Sequence, residues 1–315
     1  MPLVTSNRFD VVIVGGGPAG LSAALMLGRA CRRVLVIDSG LPRNRFAAHM
    51  HGVLGHDGRA PEALRADGAH EVTRHGGTIV RTTVTGVERA TREFVVHTTQ
   101  TTYYGRRLVV ATGLTDVLPD VPGVADRWGA GVVVCPYCDG CEVRGQRLGV
   151  LASSPASLHQ IRLLRQWSTT VTYFTNGAHD PTDADRTEFA ARDIVLDERR
   201  VAAIADPVDG PGVTVVLTTG DRVSIDRLFT LPRPVPNDAI LQALGATATD
   251  TPWGRFADTD PTGRTSVAGV WAIGNVVSPA ANVPTSIGAG AAAGGAINLD
   301  LVEEDIADAL RAHAG

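Results

Sequence analysis

The segment from residue 9 to residue 38 restricts the fold more than any other part of this chain. A short apolar run, residues 9–14, stops at Gly15-Gly16-Gly17-Pro18-Ala19-Gly20, and residues 21–30 then carry helical apolar spacing. Val34-Leu35-Val36-Ile37 reads as a second buried strand, closed by Asp38. The order is strand, glycine turn, helix, strand, acid. In such a loop the first glycine permits a tight turn, the second lets backbone approach a pyrophosphate, and the third lets helix pack on strand. The helix N-terminus adds unpaired N–H groups and a positive dipole end. Asp38 stands where a carboxylate accepts from ribose hydroxyls. With strand, helix and acid all in place, dinucleotide binding outweighs an accidental glycine turn.

Residues 62–75 read as another helix, and residues 78–84, 94–98 and 108–111 as strands. A second β-α-β unit starts at Leu148-Gly149-Val150-Leu151, with a helix over 157–167 and a strand over 171–174. Strands over 213–218 and 227–231 continue it, and the proline-rich stretch 232–236 reads as a crossing between domains. Residues 269–274 then read as a buried strand, and 284–299 as a helix with Pro284 in its first turn.

At 315 residues the chain is long enough for two domains, each with its own core. A net charge of −4 offers no electrostatic case for nucleic acid or an anionic membrane surface. All 29 basic residues are Arg, which excludes Schiff-base and Lys-nucleophile chemistry. Residues 1–10 carry no charged-then-apolar leader pattern. The least polar stretch, 267–296, is interrupted by Asn275, Pro279, Asn282 and Pro284, so a membrane span is not expected. A cytoplasmic location is.

Cys135-Pro136-Tyr137-Cys138-Asp139 is the segment that carries chemistry. Cys135, Cys138 and Cys141 have the spacing that opens an iron–sulfur run, but the fourth position is not Cys and only the distant Cys31 remains. A zinc site would want two more ligands close by, and none is obvious between 129 and 149. A redox pair is the favoured reading, with Asp139 able to take or give the thiol proton. A dithiol that cycles to a disulfide must send two electrons somewhere, and a bound flavin takes both. Cys31 and Cys141 are expected to be packed small hydrophobes, and Trp128, Trp167, Trp253 and Trp271 packing residues. His49, His51 and His56 cluster in a loop without a metal-ligand pattern. Arg43 and Arg45 either meet a cofactor phosphate or adenine, or lie on a solvated surface.

The order of these parts resembles the low-molecular-weight thioredoxin reductase family over essentially the whole chain. The matching pieces are Gly15 to Gly20, Val109-Val110-Ala111-Thr112-Gly113, residues 135–140, residues 269–275, and Asn282-Val283-Pro284-Thr285-Ser286. The resemblance implies an α/β fold of two Rossmann-like, three-layer ββα nucleotide-binding domains with a discontinuous FAD domain. Residues 1–115 and 239–315 would form that domain around an inserted NADPH-domain-like module, 116–238. It implies FAD as cofactor, met by Gly15, Gly17, Pro18, Ala19, Gly20, Asp38, Ser39, Arg45 and His51. Val84, Ala111, Thr112, Gly113, Gly274, Asn275, Asn282 and Val283 would complete the contacts. Asn275 replaces the family's Asp beneath the ribityl chain and still offers a hydrogen bond. By position, Cys138 is the flavin-proximal sulfur, Cys135 the interchange sulfur and Asp139 the acid/base. By position too, His51 lies near the flavin or at a dimer contact, and a homodimer is expected.

The second glycine loop, which would hold NADPH, is replaced by Leu151-Ala152-Ser153-Ser154-Pro155-Ala156-Ser157. A Cβ at such a glycine position costs about 1–3 kcal/mol in strain or lost contact. Thr175-Asn176-Gly177 stands where the family's paired arginines grip a 2′-phosphate. With that site lost, electrons enter at the thiols and leave from the flavin. This looks like the family's dithiol oxidases that close the disulfides of gliotoxin and holomycin, which the Cys-Pro-Tyr-Cys and His49-Met50-His51-Gly52 segments also resemble. Some of that branch carry His where this chain has Asp139.

The expected activity is an FAD-dependent dithiol oxidase that forms an intramolecular disulfide in a small-molecule dithiol, reducing O2 to H2O2. The competing readings are a thioredoxin-disulfide reductase fed by NADPH or another donor, and a non-enzymatic flavin-bearing redox sensor.

Overall fold

The structure, a computed structural model, describes residues 7–208 and 210–314. Residues 1–6, on which most of the leader reading falls, lie outside the described residues with Asp209 and Gly315. In chain order, β1 (Arg8–Val14), α1 (Pro18–Arg29), β2 (Val34–Asp38) and α2 (Pro61–Arg74) come first. They are followed by β3 (Thr78–Arg81), β4 (Val84–Arg89), β5 (Phe94–Thr98), β6 (Thr102–Val110) and β7 (Leu114–Val117). The strand expected over 78–84 is split, because β3 extends the parallel sheet on β2 whereas β4 pairs antiparallel with β5.

Next come β8 (Val132–Val133), α3 (Pro136–Asp139), β9 (Leu148–Leu151), α4 (Ser157–Leu164), β10 (Val171–Phe174) and α5 (Asp183–Ala191). Then follow β11 (Ile194–Asp197), β12 (Val201–Ala205), β13 (Val213–Leu217), β14 (Arg222–Ile225), β15 (Arg227–Thr230) and β16 (Arg233–Pro236). The chain closes with α6 (Ala239–Ala243), β17 (Ala248–Thr251), β18 (Gly254–Ala257), β19 (Val270–Ala272) and α7 (Val283–Ala314).

Two compact units result. One takes the chain up to Arg45, Pro61–Thr115 and everything from Pro234; the other takes Phe46–Ala60 and Asp116–Arg233. The first unit has a sheet ordered β3-β2-β1-β6-β5-β4, with β19 also on β6. Strand β6 serves two neighbours on one edge: its start pairs antiparallel with β5, and its end pairs parallel with β19. Alternate side chains feed two cores. Val11, Ile13, Val34, Val36, Val109 and Trp271 enter one, and Val12, Val14, Leu35, Ile37, Leu108 and Val110 the other. That is why these strands read as unbroken apolar runs: both faces are covered.

Helices α1 and α7 cover the first face backbone to backbone. A Cβ at Gly290 would overlap Ala19 O, one at Gly294 would lie 2.7 Å from Met26 Cβ, and Ser22 Oγ donates to Ile287 O at 2.7 Å. The Gly/Ala-rich stretch is therefore a packing seam. Helix α7 runs 15 residues past the expected end at Leu299, because its acidic second half is held by arginines of the sheet. Arg107 Nε donates to Asp300 at 2.5 Å, and Arg106 Nη2 to Asp305 at 2.6 Å. Among the described residues no helix is long and apolar enough to cross a membrane.

The second unit is a parallel sheet ordered β11-β10-β9-β15-β8, joined by the antiparallel β12-β13-β14. Leu148, Val150, Ile161, Leu164, Tyr173 and Phe189 fill a core between its sheet and α4 and α5. Helix α5 was not anticipated. Its signal is Thr182-Asp183-Ala184-Asp185, a reciprocal cap in which Thr182 Oγ1 accepts from the Asp185 amide and Asp185 accepts from the Thr182 amide.

Candidate active site

The glycine loop of the first unit is built for close approach. Gly15 has φ +113°, and a Cβ there would overlap Ala111 O; one at Gly20 would overlap Gly15 O. At Gly16 a Cβ would lie 2.7 Å from Asp38 Cγ, which brings the acid against the loop. Gly17 differs: a Cβ there would meet nothing within 4 Å. Gly17 also caps α1 without any side-chain bond, Pro18 follows it, and among the described residues no group accepts from the Ala19 and Gly20 amides. An open space at a helix N-terminus with free amides suits a pyrophosphate. Asp38 is buried, accepts from the Gly40 amide at 3.1 Å, and faces Arg81 and Arg65 at 3.1 and 3.4 Å. Ser39 lies between Asp38 and Gly40 at the strand end.

The remaining residues expected to hold FAD lie in the same unit, except His51, which belongs to the second. Gly274, with φ +73°, sits on the start of α1, where its Cβ would meet Ala19 Cβ at 2.9 Å. Asn275 Nδ2 donates to the carbonyls of Ser278 and Ala281 at 2.9 Å, leaving Oδ1 as the acceptor for a hydroxyl. Asn282 accepts from Thr285 N at 3.1 Å and so caps α7 ahead of Val283. Arg43 donates to Pro279 O and Arg45 to Pro42 O. Val84 packs at the rim of a core. Ala111 continues β6 into the Thr112-Gly113 turn, which Asn237 clips: Thr112 Oγ1 donates to Asn237 O at 2.7 Å, and the Asn237 amide donates to Gly113 O at 3.0 Å. Sequence reasoning missed Asn237, whose partner is 125 positions away. The cradle fits FAD.

The corresponding turn of the second unit is closed. The amides of Ser157, Leu158 and His159 donate to the carbonyls of Ser154, Pro155 and Ala156, and the Ser153 amide to Ser157 Oγ at 3.1 Å. Ser153 Oγ donates to Leu231 O at 2.6 Å. The Ala152 methyl is buried in the core. After β10, Asn176 Oδ1 accepts from the Val201 amide at 2.9 Å, so that turn too serves the backbone.

Cys135 and Cys138 form a disulfide with Cα atoms 5.2 Å apart. Pro136 starts α3, and Cys135 caps it, its Sγ accepting from the Cys138 amide at 3.2 Å. Trp167 packs over α3: a Cβ at Gly140 would lie 2.8 Å from its ring, and Tyr137 meets it edge-on at 5.9 Å. Gln160, buried on α4, donates from Nε2 to Val134 O at 2.6 Å and so holds the peptide before Cys135. No sequence signal marked Gln160.

Asp139 is half-buried, and burial pushes its carboxyl above the ordinary 3.8; Arg227 opposes the rise, Glu142 adds to it and His51 opposes it. His51 Nδ1 lies 3.4 Å from Glu142 Oε1 and 3.7 Å from Asp57 Oδ2, so the loop carrying His51 sits in this unit beside the dithiol segment. Among the described residues no group of His, Cys, Asp and Glu could hold a metal ion.

Two expectations are corrected. Cys31 and Cys141 are not packed: both are exposed thiols, Cys31 in a left-handed turn (φ +60°) after α1 and Cys141 beside Arg144. Trp253 is 43 % exposed on the β17–β18 hairpin, whereas Trp271 is fully buried.

A family model described as pyridine nucleotide-disulphide oxidoreductase matches residues 9–294. The chain is 33% identical to thioredoxin reductase tcpT of Claviceps purpurea (strain 20.1), over 95% of this chain and 96% of that one. It is also 33% identical to thioredoxin reductase sirT of Leptosphaeria maculans, with the same coverage of 95% and 96%. Among solved structures, the crystal structure of HlmI superposes with a TM-score of 0.91 at 45% identity, covering 98% of this chain and 96% of that one.

Proposed function

Since the chain belongs to the pyridine nucleotide-disulphide oxidoreductase family, with a thioredoxin reductase-type α/β fold and FAD as cofactor, we propose that it is a dithiol oxidase. It takes electrons from a small-molecule dithiol rather than from a nicotinamide. The observation that carries this reading is the contrast between its two helix N-termini. At α1 the Ala19 and Gly20 amides have no acceptor among the described residues, and the space beyond Gly17 is open. At α4 the first amides are bonded to their own turn and to Ser157. A phosphate arriving there would have to break those bonds, at about 1 kcal/mol or more each.

Bound FAD supplies a two-electron acceptor that can hand its electrons to dioxygen. The chain's own residues do the rest. A substrate thiolate attacks Cys135 Sγ, the Cys135–Cys138 bond breaks, and Cys138 leaves as the thiolate. The substrate's second sulfur then displaces Cys135, closing a cyclic disulfide. Asp139, whose affinity for a proton is raised by burial, holds a proton released by the substrate.

The test is oxygen uptake with a panel of small dithiols. One peroxide per dithiol is expected, lost in both Cys135→Ser and Cys138→Ser. Full activity in both variants would overturn the mechanism. The second reading, reduction of thioredoxin or a similar disulfide, follows the names of tcpT and sirT; it predicts no peroxide and NADPH-dependent turnover.

A further inference from the structure

Reduction of the Cys135–Cys138 bond removes the covalent link that ties Cys135 to α3. Its two flanking peptides must then keep Cys135 in place. On the C-terminal side its own carbonyl accepts from the Cys138 and Asp139 amides, both at 3.1 Å, and its Sγ accepts from the Cys138 amide at 3.2 Å. On the N-terminal side the Val134 carbonyl accepts from Gln160 Nε2 at 2.6 Å.

We propose that Gln160 is a positioning residue for the redox pair. By clamping the Val134–Cys135 peptide it favours the dithiol over the disulfide, and so makes the pair a stronger acceptor of electrons from thiols. The clamp acts whichever way electrons flow, because oxidase and reductase alike pass through the dithiol. Its sign follows from what restrains each state. In the disulfide a bond to Cys138 already fixes Cys135, so the clamp adds little. In the dithiol only hydrogen bonds hold Cys135, and the clamp spares that state part of the entropy of ordering the segment. A stabilised reduced form is what makes a Cys pair more oxidising.

Packing alone does not account for an amide at this position. Gln160 is 2% exposed on α4, and its Oε1 is buried with no partner among the described residues. Half of a buried amide left unpaired costs stability, whereas an apolar side chain of the same length fills the space without that cost. The side-chain hydrogen bond that Gln160 does make goes to the peptide carrying the interchange cysteine. Trp167, three residues past the end of α4, holds the same segment at a second point, 2.8 Å from where a Cβ on Gly140 would lie. The helix whose first turn is closed to phosphate thus carries the dithiol segment farther along.

The experiment equilibrates the FAD-loaded enzyme, without oxygen, against mixtures of reduced and oxidised dithiothreitol. Dithiothreitol passes two electrons and two protons to the pair and closes its own disulfide; the state of the pair is read by thiol alkylation and mass spectrometry. Gln160→Met keeps the length and loses the donor. It should need a ratio of reduced to oxidised dithiothreitol about threefold to tenfold higher for half reduction, and Gln160→Leu, also without a donor, should follow it. Gln160→Glu, whose buried carboxyl stays protonated at about pH 6 and still donates, should keep the wild-type ratio there. Amide exchange over residues 134–138 should quicken in reduced Gln160→Met and stay as in wild type in its disulfide form. An unchanged ratio in the donor-free variants, an equal displacement in Gln160→Glu, or equally faster exchange in both redox forms would overturn the proposal; the last is what lost packing alone produces. No arm measures peroxide, so the outcome is separate from that of the oxidase reading.

Discussion

At the scale of single residues, Gly290 and Asp139 make the sharpest predictions. A methyl at Gly290 collides with backbone, Ala19 O, and not with a flexible side chain. Gly290→Ala should therefore cost about 1–3 kcal/mol in denaturant unfolding; an unchanged midpoint would contradict the seam. Asp139 behaves oppositely. Burial raises its proton affinity in the folded state, so its contribution to stability is present at low pH and is lost as pH rises through the folded value. Asp139→Asn should thus be at least as stable as wild type at pH 7 and above, and gain least at pH 4, read as melting temperature against pH. Gly15, Gly20 and Asp38 were legible in the sequence because a glycine loop is local. Asn237, Gln160 and Glu142 were not. Asn237 clips a turn 125 positions away and Gln160 a peptide 26 positions away, and no periodicity encodes such meetings.

At the scale of elements, α7 is the one whose stability depends most on charge. Burial would raise the Asp300 carboxyl, but hydrogen bonds from Arg107 and Arg264 hold it below the ordinary 3.8; Arg32 and Arg106 do the same for Asp305. A depressed carboxyl contributes stability above its unfolded value and loses it as pH falls through the folded one. Acidification below about pH 4 should therefore loosen residues 300–314 first, seen as faster amide exchange there than in the 283–299 seam. Uniform protection along α7 would contradict this. The central strands β1 and β2 were legible because each carries an unbroken apolar run of four residues, Val11–Val14 and Val34–Ile37. The end of α7 was not, since its last 15 residues are held by ion pairs and carry no apolar stripe toward the core. The hidden α5 had only a two-residue cap to announce it.

At the scale of the whole molecule, Leu299, Val302, Ile306 and Leu310 leave an exposed apolar stripe along α7. We expect a second copy of the chain to cover it. Sedimentation should give twice the chain mass for the wild type, with Ile306→Asp shifting toward monomer; a monomeric wild type would contradict this. The two units are of kindred design, but one has its phosphate seat open and the other has it closed by its own backbone and Ser157. Anaerobic titration of the FAD-loaded enzyme, followed by the flavin absorbance, tests that contrast most directly. A small dithiol should bleach the flavin at one equivalent, air should restore it, and excess NADPH should leave it oxidised. Rapid stoichiometric bleaching by NADPH would contradict the account.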